Sequence, residues 1–270
     1  METPFSLHKL HIEDIQNSEH PSIFIEDEEY NILILRVPNY SENLELISHP
    51  FILSNNRAYY YNRNKDDFVD LGEGFRGVYK FIDKKIDQVI KLVNNFHEEI
   101  IVSEEGLYNH NTSNFLKEWY GQKMELIKIQ RVMLRANTTI DEFVETYQEN
   151  EEFLHNEFED IIEHIARSER SAQSGLLKLD QLYSFYTVRT SEKMNKSIYL
   201  LTIISAIFLP LNLAVGFFGM NTGGLPLGQN PHGTIIAVSA MLGATLLLTT
   251  ITTLYLKRQN REFIQLTQNT

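Results

Sequence analysis

Two long runs without a charged side chain constrain this chain more than any other feature. Residues 198–218 read IYLLTIISAIFLPLNLAVGFF, and residues 234–256 read TIIAVSAMLGATLLLTTITTLYL. Each is about 21 to 23 residues, long enough for a helix to cross ~30 Å of hydrocarbon. A buried core helix is the competing reading of either run, but two such runs side by side argue for membrane spans. Lys193 and Lys196 precede the first run, and Lys257, Arg258 and Arg261 follow the second. Residues 219–233 between them carry no Lys or Arg. The positive-inside rule then puts both termini in the cytoplasm and the connecting loop outside.

Two helices cannot enclose a water-filled path, so a conduit would need first spans from several copies. Pro210 and Asn212 lie well inside the first span. The proline frees a backbone carbonyl. A polar side chain at that depth faces water or protein rather than lipid. Asn212 therefore fits either a pore wall or plain helix–helix contact.

The 270 residues carry a formal net charge of −12, which argues against a broad nucleic-acid footprint. A solvated acidic surface and a cation-gathering surface both fit that charge. Without cysteine, disulfides and thiolate metal sites are excluded. Residues 1–10 show no basic segment followed by an apolar run, so no cleavable signal is expected there.

Before the spans, an N-terminal region (1–81) has strand character and a second region (82–197) has helical character. Residues 31–37 (NILILRV) form a short apolar run. Residues 44–53 and 57–61 flank Asn55-Asn56, a hairpin signature. Ile86, Val89, Ile90 and Val93 share one helix face, as do Leu126, Ile129 and Val132. Turn residues at Glu105-Gly106 and 109–113 predict a helix break. No proline falls between Ile140 and Pro210. One long helix running into the first span is the simplest reading, with Glu142, Glu145, Glu149, Glu151, Glu152, Glu157, Glu159, Asp160 and Glu163 on its upstream part. The transmembrane domain then covers 198–256, with spans 198–218 and 234–256 and loop 219–233, followed by a tail at 257–270.

Two local signals are set aside. Gly72, Gly74 and Gly77 match GxGxxG, with Glu98 and Glu99 downstream. A dinucleotide fold needs its acid on a second parallel strand, and here the acids fall in helical sequence. His155, Glu159 and Glu163 share a helix face, yet His164 points elsewhere, so they read as surface residues.

Gly219-Met220-Asn221 directly follows Phe217 and Phe218 at the end of the first span. That tripeptide, at the outer end of a proline-containing span with a short loop and a second span behind it, resembles the signature of the CorA family of divalent-cation transporters. Residues 5–21, with Glu13-Asp14-Ile15, Asn17 and His20-Pro21, resemble the family's N-terminal HPL-x-x-EDI-x-N segment. The resemblance covers nearly the whole chain. It departs in lacking the family's longer N-terminal region and in its outer loop. The loop begins Thr222-Gly223-Gly224-Leu225-Pro226, has no Asp or Glu, and is similar to the ZntB zinc-transporting branch.

The resemblance implies an α/β cytoplasmic domain, with a reduced N-terminal sheet plus helices. A long stalk helix would continue it into a two-helix transmembrane domain, in a funnel-shaped homopentamer of the plasma (inner) membrane. Its partners would be lipid, divalent cations and other copies of itself, with no nucleic acid and no enzymatic step. Gly219, Met220 and Asn221 would form the selectivity filter, five Asn221 amides accepting hydrogen bonds from the waters of an unstripped Mg²⁺. A helix C-terminal turn is the competing reading of Gly219 and Asn221. The same register makes Asn195, Ile198, Leu201, Leu209 and Asn212 pore-lining, and Asp180 a substitute for an acidic ring where Ser184 stands. Asp160 would share a regulatory metal with Asp14 of a neighbouring subunit, Glu13 assisting. Bound metal would hold the closed arrangement by a differential interaction with two states. Mg²⁺ is the expected ion, transported and regulatory, with Co²⁺, Ni²⁺ or Zn²⁺ as others. A proton-coupled Zn²⁺ transporter and a membrane-anchored coiled-coil scaffold are the alternatives.

Overall fold

The computed structural model describes residues 7–40, 43–109, 114–220 and 230–268. The chain divides into two compact units, Met1–Tyr186 and Thr187–Thr270.

In the first unit a short helix α1 (Lys9–Gln16) precedes five strands: β1 (Ile23–Glu26), β2 (Asn31–Tyr40), β3 (Leu44–Ser54), β4 (Arg57–Asn62) and β5 (Asp67–Glu73). They form an antiparallel meander in the order β1-β2-β3-β4-β5. Asn55 and Asn56 make the β3–β4 turn with φ of 49° and 63°, the double positive φ that a two-residue hairpin asks for.

The run NILILRV has no polar alternation because β2 is covered on both faces. Leu33, Leu35 and Val37 face the helices together with Phe51 and Leu53 of β3. Ile32, Ile34 and Ile52 face the other way, against Ile15 of α1, Tyr30 and Tyr61. The edge strands β1 and β5 are not evident in the sequence. β1 has only four residues, and β5 (DFVDLGE) is polar, as suits strands with one neighbour.

Helix α2 (Gly74–Tyr108) follows β5 without a loop. The glycines flagged above serve this junction. Gly72 has φ 79°, and a Cβ on Gly77 would lie 2.6 Å from the Leu71 carbonyl oxygen. The antiparallel sheet, and the place of Glu98 and Glu99 on α2, exclude a dinucleotide fold. Gly106 lies inside α2, so of the two turn signals the first does not interrupt the helix; α2 ends at Tyr108, directly before the second.

Helices α3 (Phe115–Thr146) and α4 (His155–Gly219) follow. The single long helix expected across this region is corrected by the interruption at 147–154, which leaves Glu142 and Glu145 on α3 and Glu149, Glu151 and Glu152 in the connection. The interruption has a packing cause. Phe153 turns inward to stack on Phe158 at 4.9 Å and meets Phe75 edge-on at 4.9 Å. The polar staples Asn31 Nδ2 to Tyr147 Oη and Asn56 Nδ2 to Glu152 Oε2 hold the connection against the sheet. Buried Phe158, Ile161, Ile165, Ala172, Leu179 and Leu182 give α4 one apolar stripe at three- and four-residue steps.

The second unit holds the rest of α4 and helix α5 (Gly233–Gln268). Both helices are long and apolar enough to cross a membrane.

Candidate functional site

Helix α1 presents Glu13 and Asp14 in its last turn. Glu13 is exposed, 4.0 Å from Lys9. Asp14 lies 3.4 Å from His20 Nε2. His20 Nδ1 is 2.8 Å from the Pro21 carbonyl, which can only accept, so Nδ1 carries a proton.

Asp160 stands on the first turns of α4, 3.6 Å from His164 one turn on. Asp83 of α2 joins them. One ligand atom from each of Asp83, Asp160 and His164 falls within 4.8 Å of the others. The surroundings are anionic. Burial, and then Asp87, raise the Asp83 pKa; His164 lowers it and Asp160 raises it. Burial raises the pKa of Tyr79, with Asp83, Asp160, Glu157 and Asp87 adding to the effect. Two carboxylates and an imidazole converging in this way can hold one divalent cation and leave its remaining positions to water or to further carboxylates. A nitrogen donor suits Co²⁺, Ni²⁺ or Zn²⁺ at least as well as Mg²⁺.

The family resemblance singles out Asp160, opposite Asp14 of a neighbouring copy, and gives no hint of Asp83 or His164 beside it. The i, i+4 spacing of Asp160 and His164 was readable. Asp83, far away in the chain, gave no signal until α2 packed beside α4. Within one chain no contact joins Asp14 or Glu13 to this group among the described residues. Asp180, considered for an acidic ring, is paired with Lys123 at 2.6 Å.

Asn195, just before the first apolar run, and Ile198, Leu201, Leu209 and Asn212 within it are all exposed on α4. Steps of three, three, eight and three residues keep them within an arc of about 120°. Several hydroxyls in the second unit bond back to their own helix. Thr202 bonds the Ile198 carbonyl at 2.9 Å, and Thr245, Thr249, Thr250 and Thr253 each bond the carbonyl four residues back. Such hydroxyls need nothing from outside their helix. The Asn212 amide has no partner within the chain among the described residues. Pro210 leaves the Ala206 carbonyl without its helical donor one turn away. Gly219 closes α4 and Met220 follows it, exposed; Asn221 lies outside the described residues.

A protein-family profile described as CorA-like Mg2+ transporter protein matches residues 1–258, sheet, helices and both apolar runs included. The chain belongs to that family. The cobalt/magnesium transport protein CorA of Thermotoga maritima is 25% identical over 245 residues, 82% of this chain and 68% of that one. The zinc transport protein ZntB of Pectobacterium carotovorum is 24% identical over 153 residues, 54% of this chain and 45% of that one. The fold agrees with the complete structure of the CorA magnesium transporter from Methanocaldococcus jannaschii. The TM-score is 0.77 at 16% identity, covering 91% of this chain and 82% of the other. The full-length CmaX protein gives a TM-score of 0.67 at 16% identity, covering 95% and 83%. An N-terminal antiparallel sheet with helices, a long helix and a second apolar helix is thus the CorA-like fold.

Proposed function

We propose that this chain carries divalent cations across a membrane through a conduit built from several copies of itself. The observation that carries this reading is the family match across residues 1–258, which takes in both spans. Membership of the CorA family makes the chain a divalent-cation transporter and not an enzyme. A divalent ion crossing down the membrane potential gains roughly 4.6 kcal/mol per 100 mV, so no energy-coupling site is required.

The assembly is a homopentamer with both termini in the cytoplasm, and its first spans line the path. Asn195, Ile198, Leu201, Leu209 and Asn212 face that path. The unpartnered Asn212 amide supports this, since it needs water or a neighbour. Ile198, Leu201 and Leu209 make apolar constrictions that gate by dewetting. Gly219, Met220 and Asn221 form the filter, where neutral amides bind a hydrated ion weakly enough to release it. On the cytoplasmic side Asp160, with Asp83 and His164, receives a regulatory cation that Asp14 and Glu13 of a neighbouring copy complete. Bound metal offsets the repulsion among these carboxylates and favours the closed arrangement.

Mg²⁺ is the favoured cargo, because Met220 keeps the Gly-Met-Asn form. The zinc reading is supported by the ZntB relative and by an outer loop without carboxylates. One assay separates them. The chain in liposomes is offered Mg²⁺, Co²⁺, Ni²⁺ and Zn²⁺, with and without an inward proton gradient. Mg²⁺ uptake independent of the gradient is the expected result. Zn²⁺ uptake that rises with the gradient while Mg²⁺ stays at background selects the zinc reading, and no uptake of any of the four ions refutes transport.

A further inference from the structure

Helix α1 has an electrostatic defect at its end. Its last turn carries Glu13 and Asp14 and no basic residue. A helix C-terminus presents unpaired carbonyls and partial negative charge, which favour cations and disfavour carboxylates. An eight-residue helix with this arrangement does not hold its last turn unaided.

The missing cation comes from the β4–β5 turn. The Arg63 guanidinium directs every nitrogen at a backbone carbonyl. Nε donates to Gln16 at 3.2 Å, and Nη2 donates to Ile15 at 2.9 Å and to Asn17 at 3.0 Å. Nη1 donates to Ser48 of β3. Three of these acceptors end α1 and the fourth belongs to the sheet. No carboxylate pairs with Arg63 among the described residues, so its charge is spent on the helix end. Burial lowers its pKa, in keeping with a guanidinium taken partly out of water. The segment beyond is stitched down as well. Ser48 N and Oγ donate to the carbonyls of Ser18 and His20, and Arg135 Nε of α3 donates to that of Ser22 at 3.0 Å.

We propose that Arg63 is a positioning residue for Glu13 and Asp14: it locks the end of α1 to the sheet and so sets the affinity of the regulatory metal. The affinity part rests on the metal reading given above. The planar fork is essential, because an ammonium is a point charge and cannot serve four divergent carbonyls.

The test uses the full chain in detergent and two readouts. The first is the Mg²⁺ concentration that half-protects against chymotrypsin, in wild type, Arg63→Ala, Arg63→Lys, Asp14→Asn and the double variant Arg63→Ala/Asp14→Asn. The second is amide hydrogen exchange without metal. Arg63→Ala should raise the Mg²⁺ midpoint about tenfold, the scale of losing a group that orients a metal ligand. Arg63→Lys, which keeps the charge and guards against a folding failure, should show most of that rise. In the Asp14→Asn background Arg63→Ala should add nothing. Exchange should quicken at residues 12–17 and not in β2 or β3. An unchanged midpoint in both Arg63 variants overturns the proposal, as does a full further shift on top of Asp14→Asn. A wild-type midpoint in Asp14→Asn sinks the metal reading itself. Exchange at α1 then decides separately whether Arg63 locks the helix end, and unchanged exchange rejects that too.

Discussion

Asn212 differs from the threonines of the second unit in where its hydrogen bonds can go. A hydroxyl folds back on its own helix, whereas a primary amide at an interior position needs a partner from elsewhere. Asn221 at the other end of the proposed path should behave as a filter amide. Asn221→Ala is expected to abolish selective divalent flux in liposomes while leaving assembly intact, and wild-type flux in the variant rejects the role. Asp160 is one of two α4 members of the candidate metal group, with Asp83 supplied by α2. Asp160→Lys places a cation among Asp83 and His164 and should remove Mg²⁺-dependent protection from proteolysis; unchanged protection rejects the sensor. His49 belongs to stability rather than transport. Burial chiefly, and then Lys85 and Arg63, lower its pKa from 6.5 to about 3. Its ring sits among Phe81, Tyr60 and the sheet. The unfolded chain binds a proton below about pH 6.5 that the folded chain refuses, so stability is full above that pH and is lost as pH falls toward 3. The loss approaches about 1.4 kcal/mol per pH unit inside the window. The single tryptophan, Trp119, stacks on Tyr183 in the first unit and reports its unfolding. Unfolding midpoints between pH 6 and 4 should flatten in His49→Phe relative to wild type.

At the scale of elements, close approach decides more than propensity. α2 can start straight from β5 because Gly77 lets the helix backbone rest on Leu71. A Cβ there would sit 2.6 Å from a carbonyl oxygen and 2.7 Å from Leu71 Cβ, atoms that a rotamer change cannot move. Gly77→Ala should therefore lower the stability of the first unit by about 1–3 kcal/mol, read as a drop in Tm; an unchanged Tm contradicts the packing. Gly175 is a milder case. Its added Cβ would meet Leu126 Cδ1 at 3.0 Å and Ile100 Cδ1 at 3.4 Å, flexible ends that can give. α2, α3 and α4 are further tied by His97 Nε2 to the Ser171 carbonyl and Trp119 Nε1 to the Leu179 carbonyl, each at 3.0 Å.

For the whole molecule, the proposal turns on copy number. One chain offers a single proline- and asparagine-bearing span, which cannot surround an ion. Mass measurement in mild detergent should give five copies, and a monomer or dimer at ordinary concentration counts against the pore. The pairing of Asp180 with Lys123 bears on the same scale. That carboxylate is already neutralised within its own subunit, which weakens its candidacy for an acidic ring.

The two long apolar helices, the β3–β4 hairpin and the apolar faces of α2 and α3 were legible in the sequence. Each depends on a local period or on the length of an uncharged run, and those are properties of neighbours along the chain. The Gly-Met-Asn motif was legible for the same reason. The edge strands were not, because β1 is only four residues long and β5 (DFVDLGE) is largely polar. The turn at 147–154 was not either, because its cause is an aromatic cluster gathered from β1, α2, α3 and α4. The candidate metal group shows the division most clearly. Asp160 and His164 are four residues apart on one helix, but Asp83 lies on another, and only the packing of α2 against α4 brings its carboxylate within reach. Arg63 likewise is an ordinary turn residue in sequence. It becomes the anchor of α1 only when the meander carries it to three carbonyls that end that helix.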